Sequence, residues 1–403
     1  MSVEKGLSLR WRTPTPMVLH ARVVSNQGGG PDKTIFRSAR YAAKVGLRMA
    51  AMVIHPRRST GIATLRTQAQ QWNMPLFEVP ESGALDVGTI RAATQLCRKH
   101  RVTIWHGHDY KTDVLGLIVR RFWPMKLVTT VHGFTRESLR TRFYAHLDNM
   151  ALRAYDHVIA VSPQLVQHCY QQGVSPERLT YIPNAIELDE YQRTMSRADR
   201  RAELGIEQDR LVLGVVGRLS IEKGVDRALR MLAYLKHGYP TLQLHIVGDG
   251  PQRSTLEKLA QSLGVRAMVR FWGWQEQIQP YLEAMDVLLL PSRREGMPNV
   301  VLEAMALGVP VAATNVGGVR DLLAWGACGI VLDDDESAWP SQLASLLTSP
   351  EKRNELARHA RLRVEQHYTF ERRMARVFAV YNKVLRIASD ARPTWQVPTR
   401  KAA

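Results

Sequence analysis

Short apolar runs recur along the chain, each followed by a polar or glycine-containing loop and then by a stretch with helical periodicity. This alternation predicts an α/β fold with parallel sheets, because strands that are buried on both faces read as continuous apolar runs. The predicted strands of the first half are Met17–Val24, Met49–Ile54, Leu76–Val79, Val102–Trp105, Leu127–Val131, His157–Val161 and Leu179–Pro183. Those of the second half are Leu211–Val216, Leu242–Val247, Val269–Gly273, Val287–Leu290 and Val309–Thr314.

Helical stretches separate these runs, and a polar segment separates the two halves. The predicted helices are Thr34–Lys44, Ile62–Gln71, Asp86–His100, Arg142–Ala154, Val225–Leu235, Asn299–Leu307 and Tyr368–Ser389. The charged stretch 187–208 favours an interdomain link with a short helix in it. The length of 403 residues also suits two domains. We therefore predict Rossmann-like domains over residues 1–195 and 196–367, followed over 368–403 by a helix and a basic tail.

The most informative stretch is residues 286–314, DVLLLPSRREGMPNVVLEAMALGVPVAAT. It predicts strand, loop, helix and strand, with Pro298 in the first turn of the helix, where its missing N–H costs nothing. Glu295 lies in the loop and Glu303 one turn into the helix, so both carboxylates can face one bound molecule. The N–H groups of Gly296, Met297, Asn299 and Val300 form a nest for an anion between them. The alternative is that both glutamates are solvated surface charges.

Two cations occur in a similar position after the first strand of the second half. Arg218 and Lys223 flank the loop GRLSIEKG, just before a helix begins. A diphosphate leaving group needs such cations, because its negative charge grows as the bond to the sugar breaks. Gly248 and Gly250 free the backbone after the next strand. Trp274 follows Val269–Gly273 and suits either a nucleobase contact or a core position.

The first half carries candidate residues at three strand ends. The first strand leads to a glycine-rich turn that contains Gly29 and Gly30, which lacks the dinucleotide-binding spacing. The fourth leads to HGHDYKTD, where His108 and Asp109 suit a ligand-binding edge that holds acceptor hydroxyls. A metal site is a weaker alternative there, since no third ligand is evident. For His106, a structural role in capping the following turn is as good an explanation as ligand binding. The fifth strand ends at His132, which is followed by a glycine that leaves room for a ligand.

Taken together, these motifs resemble those of the retaining glycosyltransferases of family 4, which have the GT-B fold. The matching residues are Glu295-x7-Glu303, the G-R-x-x-x-x-K-G pattern of Arg218 and Lys223, and the histidine–glycine pair at His132. The resemblance implies two Rossmann-like domains that face each other across a cleft, an N-terminal acceptor-binding domain and a C-terminal nucleotide-sugar-binding domain. It also implies that the last helix crosses back to the first domain.

The resemblance assigns roles to the candidate residues. Arg218 and Lys223 would hold the diphosphate, Glu295 the transferred sugar and Glu303 the ribose, while His132 would meet the sugar or the acceptor. The catalytic candidates are Glu295, His132, Arg218 and Lys223. The donor-binding candidates are Gly30, Arg218, Lys223, Gly248, Gly250, Trp274, Glu295, Gly296, Met297, Pro298, Asn299, Val300 and Glu303. The acceptor-side candidates are Gly29, His108, Asp109 and His132.

The positive charge of the chain bears on which partners it can bind. The net charge is +18, and residues 1–200 hold 28 Lys and Arg against 15 Asp and Glu. This positive charge is either a generic basic surface or functional, and contact with an anionic membrane face is the first functional explanation. We expect no nucleic-acid partner, because no nucleic-acid-binding motif is evident. Three widely spaced cysteines favour a reducing compartment. No signal peptide or run of roughly 20 apolar residues is evident, so we expect a cytoplasmic protein, peripheral on the inner membrane face.

We therefore predict a glycosyltransferase that moves a sugar from a UDP- or GDP-type donor to a glycan or lipid-linked acceptor. Exopolysaccharide or cell-surface glycan synthesis in bacteria is the expected setting. No Asp-x-Asp clamp is evident, so we expect neither a metal nor another cofactor. Two other classes stay open: a nucleotide-sugar 2-epimerase of the same fold, and a non-catalytic basic protein that binds membranes or polyanions.

Overall fold

The computed structural model describes residues 15–24, 29–57, 61–83, 86–133 and 150–386. Within these ranges the chain divides into two compact units. The first comprises the described residues up to 160, together with 166–182 and the residues from 371 onward. The second comprises residues 161–165 and 183–370. The predicted tail from Asp390 to Ala403 and most of the predicted helix Arg142–Ala154 lie outside the described residues, although residues 150–154 are helical.

The described residues of the first unit form a seven-stranded parallel sheet with the order β3-β2-β1-β4-β5-β6-β7. Its strands are β1 Met17–Val23, β2 Arg48–Pro56, β3 Leu76–Glu81, β4 Ile104–Gly107, β5 Lys126–Val131, β6 His157–Ala160 and β7 Leu179–Tyr181. The helices of this part of the chain are α1 Gly30–Lys44, α2 Ile62–Gln71, α3 Val87–His100, α4 Tyr110–Arg120 and α5 Pro163–Gln171. The C-terminal helix α14, Phe370–Leu385, joins this unit from residue 371.

The second unit repeats the same strand order in a six-stranded parallel sheet, β10-β9-β8-β11-β12-β13. Its strands are β8 Leu211–Val216, β9 Leu242–Val247, β10 Val269–Gly273, β11 Val287–Leu290, β12 Val311–Thr314 and β13 Ile330–Leu332. Its helices are α6 Arg197–Leu204, α7 Val225–Leu235, α8 Arg253–Ser262, α9 Gln279–Ala284, α10 Asn299–Ala306, α11 Val319–Leu322, α12 Trp339–Thr348 and α13 Pro350–His367.

The central strands of both sheets, such as β4, β11 and β12, are buried along their whole length, whereas the outer strands are partly exposed. Leu213, Leu244 and Leu289 of three neighbouring strands belong to one core cluster of the second unit, which Leu232 of α7 and Trp339 of α12 complete. In each sheet the strand order reverses once, between β1 and β4 and between β8 and β11. Ligands of open α/β sheets bind at the carboxyl ends of the strands beside such a reversal. The fold therefore predicts that a ligand binds at the loops after these four strands.

The segment predicted as an interdomain link is part of the second unit. Arg201 of α6 is buried and pairs with Asp286 at 2.6 Å, and Asp286 also accepts the backbone N–H of Val212 at 2.8 Å. A second pair, Arg200 with Glu283 at 2.8 Å, lies beside it. The segment has a polar sequence because the residues that it buries are arginines. Their acidic partners lie more than 80 residues further along the chain. The predicted domain boundary follows residue 195, whereas residues 183–195 group with the second unit.

No helix in the described ranges combines the length and the apolar character that crossing a bilayer requires.

Replacing Asp286 by Asn should lower the free energy of unfolding by about 3 kcal/mol, because Arg201 would keep its buried charge without a counter-ion. Urea unfolding followed by circular dichroism measures this loss. The matched control is Asp209→Asn, which removes an exposed carboxylate near the same helix and should change stability by less than about 0.5 kcal/mol. Equal stability of the two variants would contradict the buried-pair assignment.

Candidate active site

The loops after β8 and β11 are joined by an ion pair. Lys223 ends the short 3-10 turn Ile221–Lys223, and its Nζ lies 2.7 Å from Oε1 of Glu295 in the loop after β11. The hydroxyl of Ser292 donates to the same carboxylate oxygen, also at 2.7 Å. Two residues predicted separately from the sequence are thus in direct contact, and a carboxylate is held beside a cation at the reversal of strand order.

Arg218 adds a second cation at the same place. It follows Gly217 at the end of β8, and its side chain is exposed. Arg218 and Lys223 lie close to Pro291 and Ser292, which follow β11. The two cations have different surroundings, since Lys223 is paired with Glu295 and Arg218 is exposed to solvent.

Glycine at position 248 allows the loops after β8 and β9 to approach closely. Gly248 has a φ of +135°, and a Cβ atom there would lie 2.0 Å from the carbonyl oxygen of Gly217. A larger residue would therefore have to push the two loops apart. Gly250 is also close-packed, since a Cβ atom there would lie 2.5 Å from the carbonyl oxygen of Leu219. Both predicted glycines border the loop that carries Arg218.

The loop before α10 presents unpaired backbone donors. Within the described residues, the N–H groups of Gly296, Met297, Asn299 and Val300 donate to no protein acceptor. The loop is held from behind, because the carbonyl of Gly296 accepts the N–H of Gly318 and that of Met297 accepts the amide of Asn184. These donors are therefore available to a ligand, and their role as an anion nest stays a prediction.

One detail of this loop differs from the prediction. Pro298 is the N-cap residue of α10, with an extended ψ of 114°, and the helix begins at Asn299. The proline ring fixes φ before the first turn, not within it.

Glu303 is buried in the second unit, and its partner was missed by sequence reasoning. It is 6% exposed, and its Oε1 accepts the hydroxyl of Tyr191 at 2.8 Å. Tyr191 lies in the stretch predicted as a linker, 112 residues before Glu303. No local pattern links a tyrosine in a polar stretch to a helix so far along the chain.

Trp274 lies directly after β10, and its side chain is 50% exposed. The backbone before it contacts the glycine-rich loop, since the N–H of Gly248 donates to the carbonyl of Gly273 at 2.7 Å. The neighbouring Trp272 is the packed aromatic residue, with the Arg270 guanidinium 3.7 Å from its ring centroid. The structure therefore leaves Trp274 as a surface aromatic beside the loop after β9.

In the first unit, the predicted glycines open α1. Gly29 is its N-cap and Gly30 its first residue. The N–H of Gly29 donates to Asp32 at 2.5 Å, and the other oxygen of Asp32 pairs with Arg22 at 2.5 Å. The turn is thereby tied to the end of β1.

Asp109 has a structural role in the fold. One carboxylate oxygen accepts the N–H of Val23 at 2.8 Å, and the other caps α4 by accepting the N–H of Thr112 at 3.0 Å. Burial raises the pKa of Asp109 above its ordinary value, against the effect of these donors. Its predicted role on the acceptor side would have to compete with both contacts.

His108 and His132 belong to a cluster of four histidine rings. His20 of β1 and His106 of β4 are register partners on neighbouring strands, so their rings stack with centroids 4.7 Å apart. His108 stacks on His106 at 4.5 Å and on His132 at 5.4 Å. His20 was missed by sequence reasoning, although the predicted Rossmann-like order already places the first and fourth strands side by side.

Burial disfavours the protonated form of all four rings. Burial lowers the pKa of His20 to about 3, with a smaller effect from the positive charge of Arg373. Burial also lowers the pKa of His106, His108 and His132 well below its ordinary value, and neighbouring rings or arginines add to the effect. Nitrogens of His20, His106 and His108 lie within 4.8 Å of one another, so the group is of a kind that could hold a metal ion.

Comparison with known proteins identifies the family. Residues 28–190 match the sequence model described as Glycosyltransferase Family 4, and residues 196–363 match the one described as Glycosyl transferases group 1. The chain belongs to the group 1 glycosyltransferases of family 4. The predicted family, enzyme class and GT-B type of fold are thereby confirmed.

This group 1 glycosyltransferase is similar to curated enzymes along much of its length. It is 29% identical over 243 residues to the UDP-Gal:alpha-D-GlcNAc-diphosphoundecaprenol alpha-1,3-galactosyltransferase of Escherichia coli, covering 58% of this chain and 63% of that enzyme. It is 26% identical to the D-inositol 3-phosphate glycosyltransferase of Corynebacterium urealyticum, covering 83% of this chain and 86% of that enzyme.

A solved structure confirms the architecture of this group 1 glycosyltransferase. HepE of Anabaena, crystallised in complex with UDP and glucose, superposes with a TM-score of 0.78 at 20% identity, covering 91% of this chain and 100% of that chain. At this identity the likeness concerns the fold.

The free energy of unfolding of this glycosyltransferase should fall as the pH is lowered from 7 to 5. The unfolded chain binds protons on histidines with pKa values near 6.5, whereas the buried rings stay neutral, so acid favours the unfolded state. His20 alone, with a folded pKa of about 3, should contribute a loss of roughly 2 kcal/mol over this interval. Urea unfolding at both pH values measures the loss.

The variant His20→Asn should remove that share of the pH dependence. The control His359→Asn changes an exposed histidine of α13 and should leave it unchanged. The prediction is wrong if His20→Asn and the wild type lose the same stability between pH 7 and pH 5.

Proposed function

We propose that this protein is a retaining glycosyltransferase that transfers a sugar from a UDP- or GDP-type nucleotide diphosphate sugar to a glycan or lipid-linked acceptor. One observation carries the proposal. Arg218, the Lys223–Glu295 pair and the unpaired N–H groups before α10 meet where the strand order of the second sheet reverses. This combination suits an anion next to a group rich in hydroxyls.

The diphosphate would be bound by Arg218, Lys223 and the N–H nest. As the bond between the sugar and the diphosphate breaks, negative charge develops on the leaving oxygen. Preorganised cations and backbone donors stabilise this charge more in the transition state than in the ground state, which is the condition for catalysis. These groups can supply the stabilisation themselves, so we propose a reaction that does not depend on a metal.

The two glutamates would bind hydroxyl groups. Glu295, held by Lys223 and Ser292, is fixed beside the diphosphate position and would accept hydrogen bonds from the transferred sugar. Glu303 would accept those of the ribose, while its Oε1 also accepts the hydroxyl of Tyr191. Gly248, Gly250 and Trp274 would border the nucleotide.

The acceptor side would involve the first unit. We propose that His132 helps to position the sugar or the acceptor, with His108 behind it and Gly29 and Gly30 at the neighbouring strand end. The name of the Escherichia coli relative supports a lipid-linked acceptor, since that enzyme uses a diphosphoundecaprenol-linked sugar. HepE has been crystallised with UDP and glucose, which supports a uridine nucleotide donor. Bacterial exopolysaccharide or surface glycan synthesis fits both.

Calorimetric titration with UDP, GDP and ADP tests the donor site. The wild type should bind one of them tightly, with and without EDTA. Arg218→Ala and Lys223→Ala should each weaken that binding by roughly 10- to 100-fold, because each removes a charge-assisted hydrogen bond worth about 1.5–3 kcal/mol. Lys258→Ala, an exposed lysine on α8, is the control and should bind like the wild type.

Full binding by the double variant Arg218→Ala/Lys223→Ala would refute the diphosphate assignment. Titration of the 2′-deoxy form of the bound nucleotide examines Glu303, whose proposed ribose contact requires weaker binding of the deoxy form. The anomer of the product, followed by proton NMR, decides between retention and inversion. Conversion of the nucleotide sugar to its 2-epimer without an acceptor would identify an epimerase instead.

We also propose that the first unit docks on an anionic inner membrane face. The ends of α3 and α4 lie together, since the Arg98 guanidinium donates to the carbonyl of Phe122 at 3.2 Å. Exposed side chains there form what we call the basic patch: Arg98, Lys99, Arg101, Arg121 and Phe122. A cluster of cations around an exposed aromatic ring suits a negatively charged bilayer surface.

Vesicle co-sedimentation tests this patch. Binding to phosphatidylglycerol vesicles should exceed binding to phosphatidylcholine vesicles and should decline with salt, because surface charges are screened. Arg121→Glu should weaken it at least tenfold, since each cation contributes about 1 kcal/mol and the reversal changes two charges. Lys258→Glu makes the same charge change in the second unit. If both variants bind equally well, the basic patch is not the docking surface.

A further inference from the structure

Three of the histidine rings form a hydrogen-bonded chain in the first unit. Nδ1 of His20 lies 2.8 Å from Nε2 of His108, and Nδ1 of His108 lies 3.1 Å from Nε2 of His132. The three residues come from β1, from the residue directly after β4 and from the residue directly after β5. The middle ring, His108, therefore uses one nitrogen toward each neighbour. The chain runs from within β1 to the carboxyl ends of β4 and β5.

The two ends of this imidazole chain have different surroundings. At the inner end, Nε2 of His20 is buried and has no hydrogen-bond partner among the described residues. At the outer end, His132 is half-buried, and its Nδ1 has no partner within the same ranges. Only the outer end is accessible to a ligand.

A neutral imidazole carries one N–H, so each ring donates on one side and accepts on the other. The chain can therefore have only two polarities. In the outward polarity, every Nδ1 is protonated, and His132 exposes an N–H. In the inward polarity, every Nε2 is protonated, His132 exposes a lone pair, and His20 buries an N–H. The protonated nitrogen of His132 is thus coupled to that of His20.

The buried Nε2 of His20 favours the outward polarity. The inward polarity would leave a buried N–H of His20 without an acceptor, and orphaned N–H groups are rarer in proteins than under-satisfied acceptors. The nearby cations do not choose between the polarities, because Arg373 on α14 acts on both His20 and His132, and Arg22 acts on His108 and His132.

We propose that His20 and His108 are positioning residues that hold His132 as a neutral ring with its proton on Nδ1. His132 is then a hydrogen-bond donor toward an oxygen atom of the sugar or the acceptor, and it does not act as a base at that nitrogen. This assignment rests on the proposed function for the identity of the ligand. The coupling of the three rings does not depend on it.

The contacts of His106 argue for hydrogen bonding over a metal centre. Its Nδ1 bonds to the hydroxyl of Tyr381 at 2.6 Å, and its Nε2 bonds to the hydroxyl of Thr130 at 2.8 Å. Nitrogens that share a tetrahedral zinc ion lie about 3.4 Å apart, whereas Nδ1 of His20 and Nε2 of His108 lie only 2.8 Å apart, which is a hydrogen-bond distance. The observed arrangement is that of hydrogen-bonded side chains.

The experiment is nitrogen-15 NMR of the full-length protein with labelled histidine, which reports which ring nitrogen carries the proton. The signals of His132 are assigned by their loss in His132→Gln. In the wild type, we expect His132 to carry its proton on Nδ1 and to stay neutral between pH 6 and pH 8. A proton on Nε2 of His132 in the wild type would overturn the proposal without any need for a variant.

The matched variants His20→Asn and His20→Asp test the coupling, because they are nearly equal in size and differ in donor capacity. The Asn amide can donate to His108, so His132 should keep its proton on Nδ1. An ionised Asp can only accept, so the proton of His132 should move to Nε2. The control His157→Asn changes a buried histidine that bonds to Thr180 at 2.8 Å, and His132 should be unaffected. The same state of His132 in the Asn and Asp variants would overturn the proposal, as would stoichiometric zinc in the purified wild type.

Kinetic assays show whether a failure concerns the coupling of the histidine rings or the proposed glycosyltransferase function. His20→Asp should lower kcat/KM for hydrolysis or transfer from the nucleotide sugar about tenfold, the effect of one lost hydrogen bond in the transition state. Its affinity for the bound nucleotide should equal that of the wild type, since the proposed nucleotide contacts lie in the second unit. A wild type that is inactive with every UDP and GDP sugar would refute the proposed function and leave the NMR result standing. Unchanged kcat/KM in His20→Asp would overturn the role of the chain in positioning His132.

Discussion

The site depends on one constraint of parallel sheets: where the strand order reverses, the loops that leave two neighbouring strands must run in opposite directions. In the second unit this happens between β8 and β11. The loop after β8 carries Arg218 and Lys223, and the loop after β11 carries Glu295 and the N–H nest. The Lys223–Glu295 pair then connects them across 72 residues of sequence. The first unit has the same reversal between β1 and β4, and His20 and His106 lie side by side there.

This geometry makes backbone contacts as important as charges. The loop after β9 can approach the loop after β8 only because Gly248 has no Cβ, and the nest is held from behind by Gly318 and Asn184. Preorganisation of this kind matters for a group transfer, since donors that already point at the leaving group need no rearrangement when charge develops.

Much of the fold could be predicted from the sequence alone. The predicted strands Leu211–Val216 and Leu242–Val247 match β8 and β9 residue for residue, because strands buried on both faces are mostly apolar and stand out from the polar loops around them. Helix starts were harder to place. The predicted helix from Thr34 begins at Gly30, where a glycine and a proline mark a turn as readily as a helix start. The polar stretch 187–208 was interpreted as a link, because nothing local shows that Arg200 and Arg201 are buried.

The sequence by itself determined the family, the α/β class and the residues at the carboxyl ends of the strands, because short motifs and buried apolar runs are local properties. Only the tertiary structure decided which of these residues have partners. It placed Tyr191 on Glu303 and Asp286 on Arg201, tied Asp109 to the N–H of Val23, and joined His20 to His108 and His132 in one chain. The physical reason is that hydrogen bonds and buried charges depend on distances of about 3 Å between groups that lie tens to more than a hundred residues apart in sequence. Those distances are set by strand order and register, which no single stretch of the chain encodes.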